Sequence, residues 1–158
     1  MSLSGLTIRA FQPADGLEIM RLFRDTVHNV NSRDYTPEQI EAWAPALMDE
    51  PRWHERLRAN FTYVAEADGQ IVGFSELQRN GRIETLYVHH RYQAMGIASR
   101  LLSEMETRAR ALGAKRLATE ASLTAYPFFQ RRGFKLVRAQ DVDRNGVSLR
   151  NFIMERTL

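Results

Sequence analysis

The sequence predicts an α/β fold of the α+β kind: a mixed, mostly antiparallel central sheet of about six or seven strands, with helices on both faces. Three observations predict it. Short stretches alternate apolar and polar residues, other stretches have helical periodicity, and Asp-Gly or Asn-Gly pairs stand between neighbouring strands. The chain has 158 residues. Because domains commonly contain roughly 100 to 200 residues, we expect residues 1–158 to form a single domain.

The N-terminal part is predicted to contain one strand and then three helices. Alternation over 6–11 predicts the strand, and apolar residues spaced three and four apart predict a helix over about 16–30. A capping box at 36–39 begins a second helix, whose apolar stripe reaches Leu47. We expect Pro51 to end this helix, before one or two further helical turns.

Three strands are predicted to follow as an antiparallel meander. The stretches 61–65, 71–75 and 83–88 are typical of strands. Asp68-Gly69 and Asn80-Gly81 separate them, and such pairs favour two-residue primed turns.

The C-terminal half is predicted to combine a parallel crossover unit with a hairpin. A helix over about 95–111 connects the last strand of the meander to a strand over 117–120, and such a crossover makes the two strands parallel. A short helix ending at Gly133 follows, and strands over about 134–141 and 147–155 complete the sheet. Asn145-Gly146, a third pair of the primed-turn type, joins these two strands.

Composition restricts the class of function. The chain has no cysteine, so disulfides, thiolate metal sites and cysteine nucleophiles are excluded and a reducing compartment is indicated. Its longest apolar stretches fall far short of the ~20 residues that a membrane span needs, and residues 1–5 lack the regions of a signal peptide. We therefore expect a cytoplasmic protein without a membrane partner. The net charge of +3 is spread along the chain and suits an anionic small ligand.

The turn before the crossover helix carries the clearest chemical signal. Small residues at Ala94, Gly96 and Ala98 let the backbone N–H groups between Gln93 and Ser99 approach a ligand closely. Unpaired N–H groups and the helix dipole favour an anion there, although a glycine at such a turn more often serves packing. Neither a dinucleotide-binding nor a P-loop motif is present.

Three segments together resemble the GNAT superfamily of acyl-CoA-dependent N-acetyltransferases, and above all its small bacterial members. They are Ile83-Glu84-Thr85-Leu86-Tyr87-Val88, then Gln93-x-x-Gly96-x-Ala98, then Ser122-x-x-Ala125-x-x-Phe128-Phe129 with Gly133-Phe134. The predicted element order is also that of the family, so the resemblance spans essentially the whole chain. It implies the GNAT fold and transfer of an acetyl group from acetyl-CoA, as co-substrate, to a primary amine. With no cysteine to carry the acetyl group, the amine would attack directly in a ternary complex.

The resemblance also implies a cofactor site. The pantetheine arm would lie along Leu86, Tyr87 and Val88, where this strand separates from the next, and the Val88 N–H would stabilise the oxyanion. Ser122 stands where many members carry an asparagine that contacts the arm, and its alternative role is a helix N-cap. Phe129 belongs to the same site. The pyrophosphate would bind the backbone amides of Gln93, Ala94, Met95, Gly96, Ile97, Ala98 and Ser99.

Glu84 is the predicted general base. A lysine-like amine with a pKa near ~10.4 is protonated at neutral pH, so a nearby carboxylate can usefully take its proton. Glu84 precedes the predicted pantetheine track by two residues. Its alternative role is an ion pair with Arg82 or Arg79, and Glu76 on the neighbouring strand is the second candidate base.

The acid that protonates the leaving thiolate is less defined. Many family members carry a tyrosine where this chain has Phe129, which has no proton to give. Tyr126, on the same short helix, is the predicted donor, Tyr87 is another available hydroxyl, and water would need no residue. No ligand spacing accompanies His89-His90, so we expect no metal.

The acceptor is predicted to be a small-molecule or protein amine, bound between the first two helices and the sheet. Candidate walls, which at this spacing are more often core residues, are His28, Tyr35, Trp43 and Trp53.

Three further hypotheses remain. A catalytically silent acyl-CoA-binding sensor or interaction module is the alternative function. A homodimer through the Asn145-Gly146 hairpin is a possible assembly. We expect no nucleic-acid partner, because basic residues on a crossover helix usually form its solvated face; the residues concerned are Arg100, Arg108, Arg110, Lys115 and Arg116.

Overall fold

A computed structural model describes residues 5–158 and contains a seven-stranded sheet in the order β1-β2-β3-β4-β5-β7-β6. Neighbouring strands are antiparallel except β4 and β5, which are parallel. The strands are β1 (Thr7–Ala10), β2 (Phe61–Ala67), β3 (Gln70–Leu77), β4 (Arg82–Val88), β5 (Arg116–Ser122), β6 (Lys135–Arg144) and β7 (Val147–Thr157). The helices are α1 (Gly16–Asn29), α2 (Pro37–Trp43), α3 (Glu50–Ala59), α4 (Ile97–Ala111) and α5 (Tyr126–Arg131). The predicted mixed α/β sheet is confirmed.

Helices cover both faces of the sheet, and each face has its own apolar core. On one face α4 buries Leu101 and Met105 against strand residues such as Met154. On the other face the helices α1 to α3 bury residues such as Ile19 and Leu57 against Phe74. Full burial of one such side chain contributes about 1.5–3 kcal/mol. Over residues 5–158, none of the helices combines the length and the apolar character that crossing a membrane requires.

The second and third helices differ from the prediction. Helix α2 ends at Trp43, and Leu47 is 91% exposed instead of continuing the apolar stripe. Pro51 does not end that helix, because it lies in the first turn of α3. Proline fits there since a first-turn N–H has no partner within the helix. The Asp49 side chain caps this turn by accepting from the Arg52 N–H at 3.1 Å.

Two of the three predicted primed turns are confirmed. Asp68 and Gly69 have φ values of 52° and 76°, and Asn145 and Gly146 have 51° and 83°. The prediction for Asn80-Gly81 is wrong, since of this pair only Gly81 has a positive φ, 93°. The Gly81 N–H donates to the Gln78 oxygen at 3.0 Å, which makes a longer turn followed by a bulge.

The strands β4 and β5 pair over only two residues each and then separate. Arg82 lies opposite Ala118 and Ile83 opposite Thr119, and the parallel ladder goes no further. On its other side, β4 has a register shift that leaves Glu84 without a partner in β3. A bulge of this kind re-aims side chains. The open side of β4 and the bulge at Glu84 therefore occur at the same place in the sheet.

Candidate active site

A cleft of about 580 Å³ opens where β4 and β5 separate. Its walls come from these two strands, the start of α4, the end of α1 and the segment that leads into α5. Two predicted site residues, Met95 and Tyr126, lie outside its lining. The predicted residues that line it are Glu84, Leu86, Tyr87, Val88, Gln93, Ala94, Gly96, Ile97, Ala98, Ser99, Ser122 and Phe129.

The backbone of β4 presents polar groups to this cleft. The His89 N–H donates to the Val72 oxygen of β3 at 2.8 Å. Because successive residues of a strand point their backbone groups to opposite sides, Tyr87 also pairs with β3, while Leu86 and Val88 point away from it. This corrects the expectation that all three residues share one role: the backbone groups of Leu86 and Val88 face the gap.

Side chains hold the end of β4 in place. The Val88 carbonyl oxygen accepts from the Gln93 side chain at 2.7 Å and from the Thr26 hydroxyl at 3.2 Å. Gln93 therefore anchors the loop to the strand through its side chain, in addition to any role of its backbone.

The start of α4 offers backbone N–H groups to the cleft. Within residues 5–158, no side chain caps this helix, and Gly96 precedes it with φ of 83°. A Cβ at Gly96 would meet no atom within 4 Å, so the space in front of these N–H groups is open. Ala94 has φ of 59°, a left-handed conformation that costs roughly 1–2 kcal/mol for a residue with a Cβ. The loop thus fits an anionic group such as a phosphate.

Two arginines add positive charge at this end of the cleft. Arg131 and Arg132 both line it, and the Arg132 guanidinium donates to the Ser99 hydroxyl. The same guanidinium lies 5.0 Å from the centre of the Phe128 ring. Sequence reasoning missed these arginines, although they lie only two and three residues after Phe129 of the motif.

Glu84 forms the ion pair with Arg82 that was its alternative role, and it also lines the cleft. Its Oε2 accepts from the Arg82 Nε at 3.2 Å and from the Gln78 side chain at 3.1 Å. The Glu84 side chain is nevertheless 27% exposed and lines the cleft. Arg79, the other predicted partner, instead lies over the Phe61 ring at 5.5 Å.

Glu76, the second candidate base, is fully buried and lies outside the cleft lining. Arg56 donates two hydrogen bonds to its carboxylate, at 3.0 and 2.9 Å. The Thr85 hydroxyl donates at 2.6 Å and Asn60 at 3.2 Å. The expectation of a catalytic Glu76 is therefore wrong for geometric reasons, since its oxygens are occupied by these protein donors and shielded from substrate.

The two candidate tyrosines differ in their access to the cleft. The Tyr126 ring packs against Phe152 at 4.7 Å and takes no part in the lining, which disfavours it as the proton donor. Tyr87 does line the cleft and stacks on Phe74 at 5.7 Å. Burial raises the pKa of Tyr87 well above its ordinary value, which makes its hydroxyl a weaker acid.

Ser122 lines the cleft, and it is not the N-cap residue of α5, which is Ala125. Its hydroxyl oxygen accepts from the Ala125 N–H at 3.0 Å, which caps the turn before α5. It also accepts from the Asn31 side chain at 3.4 Å. These bonds leave the hydroxyl hydrogen to donate into the cleft. Asn31, which also lines the cleft, was not predicted, because it comes from a distant loop.

Of the predicted acceptor walls, Trp43 lines the cleft and the other three do not. Tyr35 and Trp53 are core residues, and the Tyr35 hydroxyl donates to the Arg150 oxygen at 2.6 Å. The His28 ring lies 2.7 Å from the Ala44 oxygen. Their helical spacing therefore reflects packing. Among residues 5–158, no group of three His, Asp or Glu side chains is arranged to hold a metal ion.

Comparison with known proteins adds independent information. The family model described as the acetyltransferase (GNAT) domain matches residues 31–156. The chain is 36% identical over 153 residues to the uncharacterized N-acetyltransferase YafP of Escherichia coli K12, covering 96% of each protein.

Solved structures with the same fold include two N-acetyltransferases. A GCN5-related N-acetyltransferase from Rhodopseudomonas palustris superposes with a TM-score of 0.95 at 34% identity, over 100% of this chain and 99% of that one. The PaiA N-acetyltransferase from Thermoplasma acidophilum, in complex with coenzyme A, has a TM-score of 0.80 at 21% identity, over 98% and 99%.

Proposed function

Since this chain belongs to the GNAT acetyltransferase family, we propose that it transfers an acetyl group from acetyl-CoA to a primary amine. The amine attacks the thioester directly, in a ternary complex, because the chain has no cysteine to carry the acetyl group. The observation that carries the proposal is the cleft between β4 and β5, which joins an open strand edge, an uncapped helix start and a carboxylate. The coenzyme A bound to the PaiA relative supports the choice of cofactor.

The two ends of acetyl-CoA meet different parts of the cleft. The pyrophosphate binds the N–H groups between Gln93 and Ser99, with Arg131 and Arg132 supplying positive charge. The pantetheine arm runs along the open edge of β4 as an added strand. This accounts for a strand that stops pairing with its neighbour after Ile83.

Glu84 prepares the amine for attack. The acceptor arrives as an ammonium group, and Glu84 takes one of its protons directly or through a water molecule. Oε2 of Glu84 already accepts two hydrogen bonds, so Oε1 is the oxygen placed to receive this proton. The neutral amine nitrogen then forms a bond to the carbonyl carbon of the thioester.

A backbone group of β4 stabilises the negative charge that develops on the thioester oxygen. The Val88 N–H, which points away from β3, donates to the thioester oxygen as negative charge develops there. The bond from carbon to sulfur then breaks, and the second proton that the newly bonded nitrogen must lose passes through water to the leaving thiolate. Burial raises the pKa of Tyr87, so its hydroxyl is a poor acid for this step. Tyr126 lies outside the cleft lining and has no part in this step.

The experiment that tests the proposal measures release of free coenzyme A thiol from acetyl-CoA in the presence of a library of primary amines. The library contains polyamines, amino acids, aminoglycosides and peptides with free N-termini. We expect at least one amine to support turnover, with mass spectrometry detecting the N-acetylated product.

Glu84→Gln should then lower the rate roughly 10²–10⁴-fold at neutral pH, and less at high pH, where the amine is already neutral. Glu106→Gln removes a carboxylate of α4 outside the cleft lining and should leave the rate unchanged. Binding of acetyl-CoA without turnover of any amine would favour the acyl-CoA-binding sensor instead.

A further inference from the structure

Arg82 connects two carboxylates in the wall of the cleft. Its Nε donates to Oε2 of Glu84 at 3.2 Å, and its Nη2 donates to Oε2 of Glu120 at 2.5 Å. The Gln140 side chain donates to Oε1 of Glu120 at 2.5 Å and to the Asn151 side chain at 3.0 Å. One network thus joins the four strands β4, β5, β6 and β7.

Glu120 has no part in the mechanism above, although it lines the same cleft as Glu84. Burial acts to raise the pKa of the Glu120 carboxyl, but hydrogen bonds from Arg82 and Gln140 outweigh it and bring the pKa below its ordinary value. Glu120 is therefore a carboxylate at neutral pH. A persistent negative charge that shares a guanidinium with the candidate base affects that base directly.

We propose that Glu120 is a positioning residue, which shares the guanidinium of Arg82 with Glu84 and acts through that arginine to orient Glu84 for proton transfer. This inference rests on the proposed function, in which Glu84 accepts the proton of the amine. Arg82 divides its positive charge between the two carboxylates, so Glu84 receives only part of it. The bond from Arg82 holds the Glu84 carboxylate in one orientation.

The other charged groups around this network lie on β3, β6, β7 and α3. Arg144 of β6 attracts Glu120 electrostatically. The buried Glu76 of β3 is paired with the partly exposed Arg56 of α3, so their charges offset each other. The exposed pair of Asp141 on β6 and Arg150 on β7 is also neutral as a unit. Among the described residues, Arg82 is the cation that is hydrogen-bonded to both carboxylates.

Substitutions of Glu120 and of Arg82 should change proton binding by Glu84 in opposite directions. Glu120→Gln removes one carboxylate, so the whole attraction of Arg82 acts on Glu84 and Glu84 binds a proton less readily. Arg82→Gln removes the shared cation, so Glu84 and Glu120 face each other unshielded and Glu84 binds a proton more readily. If Glu120 had only a structural role, the two substitutions would not change proton binding by Glu84 in opposite directions.

The test is the pH profile of kcat, with saturating acetyl-CoA and an amine that the wild type acetylates. Glu120→Gln should move the acidic limb of the profile to lower pH by on the order of one pH unit. It should lower kcat and leave the KM for acetyl-CoA unchanged. Arg82→Gln should move the limb to higher pH, and Glu120→Asp, which keeps the charge, should restore most of the wild-type profile.

Asp141→Asn is the matched control, because it removes a carboxylate from an exposed ion pair between β6 and β7. It should leave the profile in place. An unmoved limb in Glu120→Gln, or limbs that move in the same direction in both variants, would overturn the inference while the acetyltransferase activity itself stands.

A second measurement needs no turnover. Carbon-13 NMR titration of the Glu84 carboxyl carbon should show the same opposite displacements in Glu120→Gln and Arg82→Gln. It therefore decides the inference even if the wild type acetylates no amine in the library, which would contradict the proposed function separately. Binding of acetyl-CoA by each variant confirms that the variant is folded.

Discussion

The Thr85 hydroxyl donates a 2.6 Å hydrogen bond to the buried carboxylate of Glu76. Thr85 directly follows Glu84, the unpaired residue of the β4 bulge, and Glu76 is also bound by Arg56 from α3. This bond therefore ties the bulge to the helical layer on one face of the sheet. A carboxylate that looks like a second catalytic group in the sequence instead supports the strand that presents Glu84.

Thr85→Val tests this relationship with little change in side-chain shape. Loss of a hydrogen bond to a buried charged group should lower the free energy of unfolding by about 2 kcal/mol. Thr107→Val removes a hydroxyl on the exposed side of α4 and should change it by less than about 0.5 kcal/mol. Urea unfolding measures both. Equal effects of the two substitutions would contradict the role of the Thr85 bond.

Gly81→Ala should destabilise the protein more than Gly69→Ala. Both glycines have positive φ, 93° and 76°, so both substitutions carry the same kind of backbone strain. A Cβ at Gly81 would also overlap the backbone oxygen of Arg116 in β5, whereas Gly69 has open space around it.

Thermal unfolding measures the difference between these two glycines. We expect Gly69→Ala to cost about 1 kcal/mol, or roughly 2–4 °C in Tm, and Gly81→Ala at least twice as much. Similar Tm values for the two variants would show that the turn at Gly81 can move away from β5.

The ion pair between Arg9 and Asp15 should make stability depend on pH. Hydrogen bonds from the Arg9 guanidinium, at 2.8 and 3.0 Å, and from the Gln12 N–H lower the pKa of Asp15. The folded state therefore binds this proton more weakly than the unfolded state. The contribution is complete above the unfolded pKa of roughly 3.9 and is lost as pH falls through the lower folded value.

Asp15→Asn should accordingly lower the free energy of unfolding by about 1 to 2 kcal/mol at pH 7, after allowance for partial exposure of Arg9. The difference from wild type should shrink below about pH 4. Urea unfolding at pH 7, 5 and 3 checks this. A difference that stays constant with pH would show that the charge of Asp15 is not what stabilises the fold.

Local patterns predicted most of the fold, because apolar periodicity and turn residues act over a few positions. The Asn80-Gly81 pair misled for a local reason. A primed turn needs positive φ at both residues, whereas here only Gly81 has it, in a longer turn that its N–H closes on Gln78. Pro51 misled because proline ends one helix and begins another with equal ease.

The site was predictable where its residues lie close together in the chain. Tyr126 misled because spacing on a six-residue helix does not fix which face meets the cleft. The contact between Arg82 and Glu120 depends on the register of β4 against β5, two strands separated by a whole helix. No local pattern carries that register.

The measurement that tests the central claim most directly is the change in Tm with increasing acetyl-CoA, for wild type, Gly96→Glu and Gly96→Gln. A ligand of the native state at about 100 times its Kd adds roughly 2.7 kcal/mol. Both substitutions strain the same left-handed position, and only Gly96→Glu places a negative charge at the start of α4. We expect Tm to rise with acetyl-CoA in the wild type, to rise less in Gly96→Gln, and to stay constant in Gly96→Glu. A constant Tm in the wild type at millimolar acetyl-CoA, or an undiminished rise in Gly96→Glu, would contradict acetyl-CoA binding in this cleft.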